Sequence, residues 1–136
     1  MKILAMIYCV LLFSLVGEVV VLSSEAQKTP IPDYKTGLDL AQKEEKRVFL
    51  VFSAKWCGPC QRFKVLLEQR NIQIKLENYV YIALDIDVKK NEQIVSDFGI
   101  NTIPAYYMLI FKDGKWKINK KGIGLPSEGQ LLEFLE

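Results

Sequence analysis

From Arg47 to Ser53 the chain reads RVFLVFS, an unbroken apolar run of Val, Leu and Phe between polar ends. A run of this length and composition predicts a strand covered on both faces. YVYIALDI (79–86) and AYYMLIF (105–111) predict two more strands of the same kind. KWKINKKG (115–122) alternates in polarity instead, as a strand with one solvated face does, and Asp113-Gly114 before it predicts a tight hairpin turn.

Helical periods fill the intervals. GLDLAQKEEK (37–46) predicts a helix capped by Thr36, with Leu38 and Ala41 or Leu40 turned inward. Pro59 opens a helix that continues through Gln61 to Gln69, carrying Phe63, Leu66 and Leu67 on one face. NEQIVSDFG (91–99) predicts a short helix with Asn91 as cap and Gly99 as stop, and Ser127 caps a closing helix over EGQLLEFLE. The order is helix, strand, helix, strand, helix, strand, strand, helix. Alternation in the first half implies a parallel strand pair with a right-handed crossover, and the hairpin adds an antiparallel edge. The expectation is an α/β fold whose mixed sheet is flanked by helices on both faces.

The amino terminus follows another pattern. Lys2 precedes ILAMIYCVLLFSLV (3–16), which holds no ionised side chain, and Ser24-Glu25-Ala26 ends the stretch in small residues. A basic start, an apolar middle and a small-x-small end describe a secretory signal over residues 1–26, with cleavage before Gln27. VVVL (19–22) prolongs the apolar stretch past Glu18, which leaves an uncleaved anchor as the alternative. Either places the domain outside the cytoplasm. QKTPIPDY (27–34), with two prolines, reads as extended; residues 27–35 are taken as linker and 36–136 as the domain.

Composition narrows the chemistry. A net charge of +2 with lysines interspersed among acids, as in QKEEKR (42–47), gives no nucleic-acid footprint. With no histidine among 136 residues, Cys-His nucleophiles, imidazole bases and Cys/His zinc sites are excluded. Of the three cysteines, Cys9 falls in the apolar leader and Cys57 and Cys60 stand in SAKWCGPC (53–60).

That pair admits three readings. Half of a zinc site would need two more ligands, which a chain without histidine or a second CxxC could draw only from carboxylates. A structural disulfide suits an oxidising compartment, but so short a loop adds little stability through chain entropy. A redox pair fits the placement at a strand-to-helix junction. With Pro59 in the first turn, the Cys57 sulfur lies near unpaired N–H groups and the positive helix end, which lowers a thiol from about 8.5 toward neutrality. Cys60, one turn on, brings the Cα atoms to roughly 5–6 Å, within reach of a disulfide.

VFLVFSAKWCGPCQRF resembles the active-site strand, loop and helix of the thioredoxin family, whose signature is WCGPC. GINTIPAYYMLIFKDGK resembles the family's segment through its third strand, and GIGLPSEGQLLEFLE its closing stretch, so the likeness spans about residues 36 to 136. Together with the leader, this is similar to secreted or periplasmic thioredoxin-like proteins, among them the carboxyl-terminal domain of the thiol:disulfide interchange protein DsbD.

The resemblance implies a thioredoxin-like fold with a mixed sheet of about four to five strands, and it implies roles. Cys57 matches the thiol that attacks a substrate disulfide, and Cys60 the resolving thiol that releases the product. Trp56 matches the tryptophan beside the disulfide, and Gly58 and Pro59 the dipeptide that sets redox poise toward reduction. Pro104 matches a cis-proline facing the disulfide, Ile103 before it offers backbone to an extended substrate, and Gly124 matches a glycine of the substrate groove. No metal or other cofactor is implied.

The implied activity is disulfide reduction by a monomer acting on protein disulfides. A membrane electron donor of the DsbD type would keep the pair reduced in an oxidising compartment. Disulfide oxidase or isomerase activity and a non-catalytic binding module are the alternatives. One departure stands out. Many family members carry a buried Asp six residues before the first cysteine and a Lys beside it; here those positions are Val51 and Ala83.

Overall fold

A computed structural model describes residues 28–136, and the leader assigned to residues 1–26 lies outside them. Helix α1 (Tyr34–Lys43) leads into β1 (Arg47–Ser53), and α2 (Gly58–Leu67) and α3 (Arg70–Leu76) connect it to β2 (Tyr79–Asp85). A 3₁₀ turn (Lys89–Asn91), α4 (Glu92–Asp97), β3 (Ala105–Lys112), β4 (Lys115–Ile123) and α5 (Glu128–Phe134) complete the order. The sheet runs β2-β1-β3-β4, with β1 parallel to β2 and antiparallel to β3, and β4 antiparallel to β3. Four strands with helices on both faces match the expected α/β architecture.

β1 is central, which is why its sequence is apolar throughout. Phe49 and Val51 enter the core beneath α2, α3 and α5, where they meet Phe63, Leu67, Ile72, Leu76 and Leu131. Val48, Leu50 and Phe52 enter the opposite core beneath α1 and α4, where Ala41, Leu38, Ile94 and Phe98 lie. No residue from Val48 to Phe52 is more than 3% exposed. Asp113 and Gly114 both take positive φ (55° and 75°) in the β3–β4 turn, the conformation that favours Asp-Gly there. Gly122 on β4 lies under the Tyr106 ring so closely that a Cβ would overlap it.

Three local expectations are corrected. Asp33, not Thr36, caps α1: its Oδ2 accepts from the Thr36 N–H at 2.9 Å, so the helix begins two residues before Thr36, inside the stretch assigned to linker. The carboxylate satisfies an orphan first-turn donor and is drawn below its ordinary range by that hydrogen bond and by Lys90. Asn91 stands at the N-cap position of α4, as expected, but makes no side-chain cap hydrogen bond; its buried side chain instead donates Nδ2–H to the Asp85 carbonyl at 2.8 Å and ties the turn to the end of β2. The helix after the cysteines ends at Leu67, and the sequence reading missed α3. Ile72 and Leu76, both fully buried at i, i+4 spacing, explain why α3 forms. Within the stretch assigned to linker, Ile31 forms a parallel bridge to Ile82, donating to the Tyr81 carbonyl at 2.8 Å and accepting from Ala83 N–H at 3.1 Å.

Candidate functional site

Cys57 is the N-cap of α2, extended at φ −83° and ψ 107°, and its sulfur accepts from the Cys60 N–H at 3.2 Å. The two sulfurs are bonded to each other, with Cα atoms 5.2 Å apart, as the helical spacing requires. Among the described residues no group of three or more His, Cys, Asp or Glu side chains stands where it could hold a metal ion. The preceding loop is pinned locally: Cys57 N–H donates to Ala54 O at 3.2 Å, and Gln61 Nε2 reaches the Lys55 carbonyl at 3.3 Å.

The parallel β1–β2 register sets Ser53 against Asp85, so the residues that follow the two strands lie side by side. Trp56, 70% exposed, donates its indole N–H to Asp87 Oδ2 at 2.8 Å. Asp87 is held in turn by its own N–H, which donates to Asp85 Oδ1 at 2.9 Å. Sequence reasoning missed Asp87. The parallel pairing was the available signal, because it carries whatever follows Asp85 toward the SAKWC loop.

On the other flank, the Ile103–Pro104 peptide bond is cis, and the Ile103 carbonyl oxygen stands 3.9 Å from Cys57 Sγ. Gly124, at φ +84°, donates its N–H to the Pro104 carbonyl at 2.8 Å. Ala54, Cys57 and Cys60 form one small apolar cluster with Ile86 and Ile103 packed against it. Trp56, Cys57, Cys60, Ile103 and Pro104 therefore converge, with Gly124 hydrogen-bonded to Pro104 and Gly58 and Pro59 exposed in the first turn of α2. Each cysteine is at most 5% exposed, with Ile103 beside Cys57 Sγ and a cavity lined in part by Cys60.

That cavity, about 380 Å³, lies between α2 and the β1–β2 edge. Val51 and Ala83, direct partners in the β1–β2 register, form its wall with Phe63 and Leu67, and Cys60 opens onto it. Two apolar residues side by side avoid the cost of a lone buried charge.

Comparison with known proteins agrees with this geometry. The thioredoxin family model matches residues 34–136. A thioredoxin of Rickettsia bellii is 32% identical over 93 residues, covering 68% of this chain and 82% of that protein. The chloroplastic thioredoxin Y2 of Arabidopsis thaliana is 33% identical over 98 residues, 72% of this chain and 54% of the plant protein. Among solved structures, a thioredoxin from Thermus thermophilus shares the fold with a TM-score of 0.72 at 21% identity, covering 79% of this chain and 85% of that one. The chain belongs to the thioredoxin family, and its Cys57–Cys60 pair makes it a thiol–disulfide oxidoreductase of the thioredoxin type. Its redox group is that disulfide, and exchange between sulfurs needs no further cofactor.

Proposed function

We propose that this protein works as a disulfide reductant outside the cytoplasm, with Cys57 as nucleophile and Cys60 as resolving thiol. The observation that carries the reading is the Cys57–Cys60 bond at the start of α2, flanked by exposed Trp56 and by Ile103–Pro104. In the reduced protein the Cys57 thiolate attacks one sulfur of a substrate disulfide, and the other substrate sulfur leaves with the electron pair. Cys60 then attacks Cys57 Sγ, the mixed disulfide breaks, and the second substrate sulfur leaves. Two electrons have moved to the substrate, and Cys57–Cys60 is oxidised.

Helix geometry supports the assignment of roles. A thiolate at the N-cap is favoured by first-turn N–H groups and the helix dipole, whereas Cys60 lies further along α2 against the cavity. Ile103 would present backbone to an extended substrate strand, with Trp56 and Gly124 bordering the groove. The apolar leader over residues 1–26 supports export, as a cleaved signal or as an anchor. Reducing work in an oxidising compartment requires resupply of electrons, for which a membrane dithiol carrier of the DsbD type has the right chemistry.

Insulin reduction with dithiothreitol as donor tests the reading. Wild type accelerates it, and Cys57→Ser abolishes the acceleration; equal activity in both would favour a binding module that keeps only the groove. Equilibration with glutathione separates reductant from oxidase: a potential near about −270 mV supports reduction, and one near about −120 mV contradicts it.

A further inference from the structure

Resting on the redox reading, we propose that Lys64 is a positioning residue for the second step, stabilising the Cys60 thiolate across the cavity behind the disulfide. In the mixed disulfide, Cys60 must lose a proton before it can attack, yet it is 4% exposed. Around it, Ala54, Ile86 and Ile103 are apolar, and so are Val51 and Ala83 on the cavity wall. An apolar surround disfavours a thiolate. Something facing the sulfur must offset that cost.

The cavity supplies both an outlet and a charge. Its 380 Å³ is ample for water, which takes the Cys60 proton to solvent. The charged and titratable groups of its lining are few. Helix α2 contributes Lys64 and its C-cap Glu68, the amino-terminal segment Lys28, and β2 the Tyr81 phenol; β1 gives only Val51 and Ser53, and α3 only Gln73. Tyr81 is held neutral well above the ordinary tyrosine range, by burial first and by Glu68 second. Three charges therefore remain, two positive and one negative.

Position along α2 decides which charge dominates. Lys64 follows Cys60 by one turn, about 6 Å along the axis, while Glu68 follows by two turns, about 12 Å. No ion pair among the described residues engages either side chain. Opposite charge favours ionisation of a neighbouring thiol and like charge opposes it, more weakly at longer range. Lys64 thus lowers the pH at which Cys60 becomes nucleophilic, Lys28 adds to the effect from the facing wall, and Glu68 partly offsets it. The step balances without a protein base. Cys60 Sγ bonds to Cys57 Sγ, the bond from Cys57 to the substrate sulfur breaks, its electron pair leaves on that sulfur, and the Cys60 proton goes to cavity water.

The test uses the full chain with Cys9→Ser, so that only the two active-site thiols remain. A fluorescein-labelled cysteine peptide is linked to Cys57 near pH 4, where exchange is slow, and its release is followed after jumps to buffers between about pH 6 and about pH 10. Cys57 is bonded throughout, so the midpoint of the release profile reports Cys60 alone. Lys64→Gln should raise that midpoint by about half a pH unit, and more at low salt. Lys64→Arg should restore it, and Glu68→Gln should move it downward by less. The proposal is overturned if Lys64→Gln leaves the midpoint in place, or if Lys64→Gln and Glu68→Gln shift it in the same direction. Wild type that releases no peptide at any pH would overturn the exchange reading itself, a separate and earlier failure.

Discussion

The Trp56 indole N–H donates to Asp87 Oδ2 at 2.8 Å, joining the loop before the redox cysteines to the turn after β2. The ring is otherwise largely exposed, so this bond is what fixes its orientation beside Cys57. Asp87→Ala should free the indole while leaving the core intact. In a Trp116→Phe background the Trp56 emission should shift and its anisotropy fall. Insulin reduction should slow about threefold, the scale of one exposed hydrogen bond. Unchanged emission together with an unchanged rate would show that the contact does not orient the ring.

Gly122 and Tyr106 make a second close contact, this one structural. A methyl at position 122 would fall on the Tyr106 ring, which is packed against Phe63 and Phe134. Gly122→Ala should therefore destabilise the domain by about 2 kcal/mol, the scale of overpacking. Urea unfolding measures it. The double change with Tyr106→Leu should recover part of the loss, which separates the clash from any effect on strand propensity.

Alkaline pH should weaken the fold. Tyr34, Tyr79, Tyr81, Tyr106 and Tyr107 are all raised above the ordinary value of 10.0, chiefly by burial. A group whose folded value is raised contributes stability that is complete below its unfolded value and is lost as pH rises past it. The melting temperature should thus fall above about pH 10, and Tyr81→Phe should make that fall shallower. A profile unaffected by Tyr81→Phe would mean that other groups govern alkaline unfolding.

The strands and the redox pair were legible in the sequence for a common reason. A central strand such as RVFLVFS must be apolar on both faces, and WCGPC ahead of a helical period fixes both the turn and the sulfur spacing. What escaped depends on contacts between distant segments. Asp33 and Thr36 both suit a helix start, and only the direction of the approaching chain selects Asp33. Helix α3 escaped because no Gly or Pro marks the break at Gln69, which simply turns extended at ψ 139°. Asp87 and Lys64 carry no motif. One meets Trp56 through the parallel pairing, and the other lines the same cavity as Cys60, a space that exists only once α2 packs on β1 and β2.

The most direct test of the account is the pH dependence of iodoacetamide alkylation in the reduced protein, with each modified cysteine located by peptide mapping. The account predicts that Cys57 reacts first, with a midpoint clearly below the free-cysteine value of about 8.5, while Cys60 lags at every pH. A Cys57 midpoint equal to that of free cysteine, or earlier labelling of Cys60, would contradict it.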